Sequence, residues 1–263
     1  MADHQELLPV AREAVAIARR IVRERAPVSV IAKGDRDLVT DVDLAVEEAV
    51  REFLTGETPE IGILGEEHGR TGPSDGLWWA LDPVDGTANF ARGIPLCGVS
   101  LGLVEARCAV LAAIDLPFLD VTYTAVEGHG AFACDERIHV SGATDLADAA
   151  IAIGDFAVGE GAEVKNRARL ALLAALGARA QRIRMFGTAA VDLAWVAQGR
   201  LEATVILANL PWDTLAGVLL VREAGGFVLD GDGTGHTVDS AATIAVCPGL
   251  KAELMSIFGK PAV

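Results

Sequence analysis

Trp79-Ala80-Leu81-Asp82-Pro83-Val84-Asp85-Gly86-Thr87-Ala88-Asn89-Phe90 is the stretch whose reading decides the fold. An apolar strand runs into Asp-Pro, and two acids sit three residues apart. Pro83 fixes its own φ and biases Asp82 toward extended geometry. Gly86 permits a positive φ or a close backbone approach. If Gly86 and Thr87 open a helical turn, their N–H groups form an anion site. Two carboxylates beside an anion site imply a divalent cation bridging acid to phosphate, as hard, oxygen-ligated Mg²⁺ does. Taken alone, the same residues also read as a strand followed by an Asp-Gly turn.

Three further pieces lie outward from it. Leu64-Gly65-Glu66-Glu67-His68-Gly69 ends a short apolar run with two acids, and by itself is an acidic turn. Lys33, then Asp37-Leu38-Val39-Thr40-Asp41-Val42-Asp43, puts acids around a threonine at a helix start, where capping alone accounts for them. Pro211-Trp212-Asp213-Thr214 opens a helix whose inner face is Ala216, Gly217, Leu220 and Ala224. Asp213 there can be a plain N-terminal acid favoured by the helix dipole. Small residues on the inner face let such a helix pack closely and present Asp213 at a fixed place, as a metal ligand requires.

Apolar periodicity predicts helices over 6–25, 41–54, 164–176, 189–197, 212–224 and 250–258. Short β-type runs fall at 61–64, 77–81, 97–104, 109–114, 121–125 and 131–134, which suggests a meandering antiparallel sheet. Later strands are predicted at 150–153, 183–185, 201–206, near Phe227 and at 243–246. The fold class is α+β, with helices layered on sheets. It reads as one unit over 1–263 whose approximate halves, 1–148 and 149–263, share a cleft.

The 263 residues carry 22 Lys+Arg against 37 Asp+Glu, a net charge of −15, and 51% are apolar. Half-apolar composition excludes a disordered chain. An acidic chain is a poor match for nucleic acid. No basic-then-apolar leader opens MADHQELLPV, and no run reaches the ~20 apolar residues of a membrane span. Cys97, Cys108, Cys134 and Cys247 are scattered, as reduced thiols of a cytoplasmic protein would be. The five histidines form no HxxxH pair and read as surface residues. No serine nucleophile elbow is present, so water, rather than a side chain, is the expected nucleophile.

The four pieces, in this order and spacing, resemble the inositol monophosphatase family over about residues 5–258. Arg184-Met185-Phe186-Gly187-Thr188-Ala189-Ala190 and 193–199 add similarity to the bacterial inositol-1-monophosphatase type. The resemblance implies a layered αβαβα sandwich of the inositol monophosphatase and fructose-1,6-bisphosphatase type, usually a homodimer. It implies Mg²⁺-dependent hydrolysis of a small phosphorylated metabolite, with two or three ions. Glu66, Asp82, Asp85 and the Val84 carbonyl would hold metal, and Asp213 would join Asp82 and Asp85 on the second ion. Thr87 and Asp43 match the pair that orients and deprotonates the attacking water. Gly86 and Thr87 would bind phosphate through N–H groups, beside Asp85. Gly187, Thr188 and Ala189 would line the alcohol side.

One position departs from the pattern. Seven residues before Asp213, where many members carry a substrate-binding Glu, stands Ile206. Asn209 and Asp192 are candidates to compensate. The departure keeps a histidinol-phosphate or sugar-phosphate phosphatase open as the alternative. A non-catalytic phosphate or metal binder fits less well, because binding does not need Thr87 and Asp43. A dimer with a dead site is disfavoured because no metal position is lost.

Overall fold

The computed structural model describes residues 4–34, 37–73 and 75–258. A 3₁₀ turn leads into α1 (Leu8–Glu24), followed by the hairpin β1 (Val30–Gly34) and β2 (Asp37–Thr40) and by α2 (Asp41–Glu57). Asp35 and Arg36, within the piece read as extended or looped, lie outside the described residues. The first large sheet then forms from β3 (Gly62–Gly65), β4 (Gly69–Thr71), β5 (Trp78–Asp85), β6 (Gly98–Glu105), β7 (Cys108–Leu116), β8 (Val121–Val126), β9 (Gly130–Ala133) and β10 (Glu136–Ile138), with the short helix α3 (Thr87–Phe90) after β5. The second half supplies β11 (Ala150–Ile153), α4 (Ala162–Gly177), β12 (Arg182–Arg184), α5 (Ala189–Ala197), β13 (Ala203–Ile206), α6 (Pro211–Glu223), β14 (Phe227–Leu229), β15 (Thr243–Val246) and α7 (Lys251–Phe258).

Of the predicted antiparallel meander, the run β5 to β9 is present and β10 extends it, each strand antiparallel to the next, but the 61–64 strand expected to belong to it, β3, pairs parallel with β5. The run sits within an eight-stranded sheet of order β10-β9-β8-β7-β6-β5-β3-β4. The edge strands β4 and β10 have no sequence forecast, because three residues are too few to show alternation. A second, five-stranded sheet has the order β12-β11-β13-β15-β14.

Three apolar clusters lie between five layers. Ala11, Ala14, Val15 and Ala18 of α1 and Val46, Val50 and Leu54 of α2 pack on Trp79, Leu81, Val99, Leu101 and Leu103. The opposite face of the same sheet packs on α5 and α6. Leu172 and Leu176 of α4 and Leu254 near the chain's end cover the far face of the second sheet. The order helices, sheet, helices, sheet, helices is the expected αβαβα sandwich. Alternation along β6 is therefore not apolar against polar: both faces are buried. Its large residues face α1 and α2, while Gly98, Ser100 and Gly102 lie under the central helices. A Cβ at Gly102 would stand 3.3 Å from the Ala216 nitrogen of α6.

The histidine expectation fails twice. His4 and His236 are buried. His236 Nε2 lies 2.8 Å from Thr243 Oγ1, and burial, followed by the charge of Arg222, lowers its pKa to about 4. All four cysteines are free. Among the described residues no helix is long and apolar enough to cross a membrane.

Candidate active site

The deciding stretch occupies β5 and the turn after it. Residues three apart on a regular strand point to opposite faces. Here the pairing with β6 shifts between Asp82, opposite Ser100, and Asp85, opposite Gly98. The bulge absorbs Pro83, which has no N–H for a ladder. It also lets Asp82 and Asp85 line the same cleft. Gly86 follows at φ 88°, and a Cβ there would meet the Leu96 carbonyl and the Thr188 side chain at 3.1 Å each. Asn89 Nδ2 donates to Leu96 O at 2.8 Å and Phe186 O at 2.7 Å, tying the turn to the chain before α5.

The cleft holds about 480 Å³, and Glu66, Asp82, Val84, Asp85, Gly86, Thr87 and Asp213 all line it. Asp82 Oδ1 accepts from Val84 N at 3.0 Å. Asp85 Oδ2 accepts from Thr188 Oγ1 at 2.6 Å and from Ala190 N, so this carboxylate also anchors the start of α5. Asp213 stands in the first turn of α6, whose Trp212 carbonyl accepts from Ser100 Oγ at 3.1 Å. Asp43 lies beneath the cleft, with no exposed surface. Its Oδ2 accepts from Thr40 N at 3.0 Å and from the Thr40 hydroxyl in a capping box. Thr40 is the cap. The Thr87 hydroxyl lies 2.8 Å from Asp43 Oδ1 and 2.9 Å from Val84 O, and its one proton serves one of them at a time.

These carboxyls have pKa values raised out of the usual carboxylate range. Desolvation comes first among the causes, and the neighbouring acids add to it, raising Asp82 and Asp213 well above the usual carboxylate range. Asp85 rises to about 6 by desolvation, held back by Thr188 and the N–H groups opening α5. Asp43 and Glu66 are raised by the same burial. The cation of the cleft wall is Lys33, whose Nζ lies 2.8 Å from Glu66 Oε1 and 2.7 Å from Glu67 Oε1. Among the described residues, no three His, Cys, Asp or Glu side chains stand close enough, as placed, to grip a metal ion.

Beyond Asp85 and Asp213 the cleft opens into a neighbouring cavity of about 600 Å³. Gly187, Thr188, Ala189, Asp192 and Ile206 line it, so Ile206 faces the same cavity as the 187–189 stretch. The Thr188 hydroxyl is committed to Asp85. Asn209 is not a compensating ligand. Its amide donates to Ser240 O at 2.8 Å, and its carbonyl accepts from the Thr214 and Thr243 hydroxyls. Every polar arm of Asn209 is engaged in holding the loop before α6.

Two residues were invisible as site residues in the sequence. Glu47 of α2, wholly buried, accepts from Glu67 N at 2.8 Å, His68 N at 3.0 Å and Arg51 Nε at 2.7 Å. It fixes the turn that carries Glu66, and it fills the space a Cβ at Gly65 would need. The signal was its i,i+4 pairing with Arg51, which reads as an ordinary surface pair. Arg169 of α4, a wall of the second cavity, had no local signal at all.

The sandwich and the comparisons with known proteins place the chain among phosphoric monoester hydrolases. More narrowly, the chain matches the inositol monophosphatase family model over residues 3–259 and belongs to that family. It is 38% identical over 236 residues to the inositol-1-monophosphatase ImpA of Mycolicibacterium smegmatis, spanning 89% of this chain and 85% of that one. It is equally similar, 38% over 224 residues, to the Nus factor SuhB of Xylella fastidiosa, spanning 85% and 80%. Among solved structures, the extragenic suppressor protein suhB of Bartonella henselae matches with a TM-score of 0.90 at 34% identity, over 98% of this chain and 100% of that one. The inositol monophosphatase of Anabaena matches at 0.85 and 31%, over 96% and 95%.

Proposed function

We propose that this chain hydrolyses the monoester of a small polyol phosphate, such as myo-inositol 1-phosphate, by direct attack of water, with Mg²⁺ as cofactor. One observation carries the reading: four carboxylates from β5, the turn after β3 and the start of α6 converge on one cleft and repel one another there. Such a set fits a hard divalent ion, because every donor is oxygen and the buried charge lacks a full counterion. Glu66, Asp82, Asp85, Asp213 and the Val84 carbonyl would hold two or three ions, which compete with Lys33 for Glu66. When bound, the ions supply positive charge against the phosphate dianion and lower the pKa of water.

The chain's own residues do the rest. Asp43, locked by Thr40, accepts the Thr87 hydroxyl proton and so leaves the Thr87 oxygen free to take one from water. The Gly86 and Thr87 N–H groups hold phosphate, with Asp85 beside them. Gly187, Thr188, Ala189 and Ile206 shape the alcohol pocket. The shared cleft between 1–148 and 149–263, the homodimer and the cytoplasmic setting belong to the same proposal.

Phosphate release from myo-inositol 1-phosphate in Mg²⁺ and in EDTA tests it. Turnover that needs Mg²⁺ supports the reading. Equal release in EDTA, or none from any monoester, sinks it.

A further inference from the structure

We propose that the alcohol-side cavity recognises a second anionic group, phosphate or carboxylate, on the substrate, through Arg169 with Lys165 at the rim. The proposal rests on the phosphomonoesterase reading and narrows its substrate class.

Arg169 is 5% exposed and lines the 600 Å³ cavity. Its one hydrogen bond runs from Nη2 to Leu207 O at 3.2 Å. A guanidinium has five N–H donors and one full charge. Among the described residues no carboxylate lies within ion-pairing distance of it. A buried, unpaired charge costs several kcal/mol unless something pairs with it. Lys165 stands one turn earlier on α4 and lines the same cavity.

The acids of the cavity do not cancel this charge. Asp85 and Asp213 belong to the metal cleft. Asp192 Oδ2 accepts from Thr204 Oγ1 at 3.3 Å, and Asp155 is exposed at the mouth. Ile206, 8% exposed, gives an apolar wall that cannot bond a hydroxyl. Arg169 and Lys165 thus set two cations beside that apolar wall, where an anionic substituent can pair with the guanidinium.

Two matched pairs of substrates isolate the second anion. Fructose 1,6-bisphosphate is compared with fructose 1-phosphate, and 3-phosphoglycerate with glycerol 3-phosphate, all in Mg²⁺. A kcat/KM ratio of about ten or more within a pair is expected for a charge-assisted contact. A high ratio in the first pair alone assigns a phosphate, and in the second alone a carboxylate. Both ratios near one, with turnover measurable, overturn this proposal and leave the phosphatase reading intact. No turnover of any of the four fails that reading itself. Histidinol phosphate outrunning both anionic substrates also overturns the proposal.

Arg169→Gln should collapse the favoured ratio toward one, chiefly through KM, and Arg169→Lys should restore part of it. Should Arg169→Gln not fold, the wild-type ratios and the exposed Lys165→Met, expected to cut the ratio severalfold, still decide. A ratio unchanged in Arg169→Gln refutes the assignment.

Discussion

The two cavities meet at Asp85 and Asp213, yet they are built in opposite ways. The acidic cleft takes its residues from turns: a bulged strand end, a helix start and the turn after β3. Backbone geometry fixes each of them, so the motif and the site nearly coincide. The second cavity brings the 154–158 and 207–208 loops and the turn before α5 together with side chains of α4, α5 and β13, and their relative positions depend on how the layers stack. The lesson is that the proposed reaction is encoded locally and the proposed substrate choice globally.

The largest effect should come from the residue that joins the two cavities. Asp85→Asn removes a charge from the cleft and weakens the acceptor for Thr188 and Ala190. Loss of at least ~10³-fold in kcat/KM is expected, with loss of Mg²⁺ binding by calorimetry. Full Mg²⁺-dependent activity in this variant would break the comparison at its centre. Thr87→Val keeps the shape but removes the hydroxyl between Asp43 and Val84. A fall of about 10²-fold in kcat, with KM little changed, is expected if this hydroxyl relays the proton. A fall in kcat/KM that lies wholly in KM would make Thr87 a binding residue only.

The cleft's stability should depend on pH in a direction that the pKa shifts set. Asp82, Asp85 and Asp213 have raised folded-state pKa values. Their contribution to stability is full below the unfolded carboxylate range of about 4 and is lost as pH rises through the folded values, about 6 for Asp85. The proposed Mg²⁺ would bind the ionised forms, so protons would compete with it. The rise in Tm on adding Mg²⁺ should therefore be several degrees at pH 8 and small at pH 5. His236, which lines neither cavity, titrates in the opposite sense between about 6.5 and 4 and cancels in the difference. An equal rise at both pH values would show that the buried acids are not the ligands.

How much was readable follows the same division. The meander from β5 to β9 could be named from the residues themselves, whereas the αβαβα order and the proposed ligands came through the resemblance of the four motifs to the family, since each motif alone reads as a cap or an Asp-Gly turn. Position Ile206 was legible as a departure, but its neighbours were not. Arg169 lies 37 residues from Ile206 in the chain, and only the packing of α4 against the end of β13 joins them. Asn209 was a candidate to compensate for Ile206. Its side chain is spent on Ser240, Thr214 and Thr243, a fact of tertiary structure. Glu47 looked like half of a helix-surface pair because nothing local says that Gly65 and the Glu67 N–H will sit against it.

The smallest expected effect tests the global half directly. Ile206→Glu places a carboxylate at the end of β13, where a Cβ on Gly154 would stand 3.5 Å from the Ile206 Cα and the next residue's carbonyl is held by Arg169. The cost of burying the acid is about 1–3 kcal/mol, and an ion pair with Arg169 would offset part of it. Tm should fall by only a few degrees. Because the new acid supplies an acceptor and spends the cation, kcat/KM for myo-inositol 1-phosphate should rise by about threefold, while any preference for a second anion should fall by a similar factor. The two changes must run in opposite directions. If both substrates lose equally, Ile206 is simply part of the core, and the substrate choice of this chain is made elsewhere in the layers.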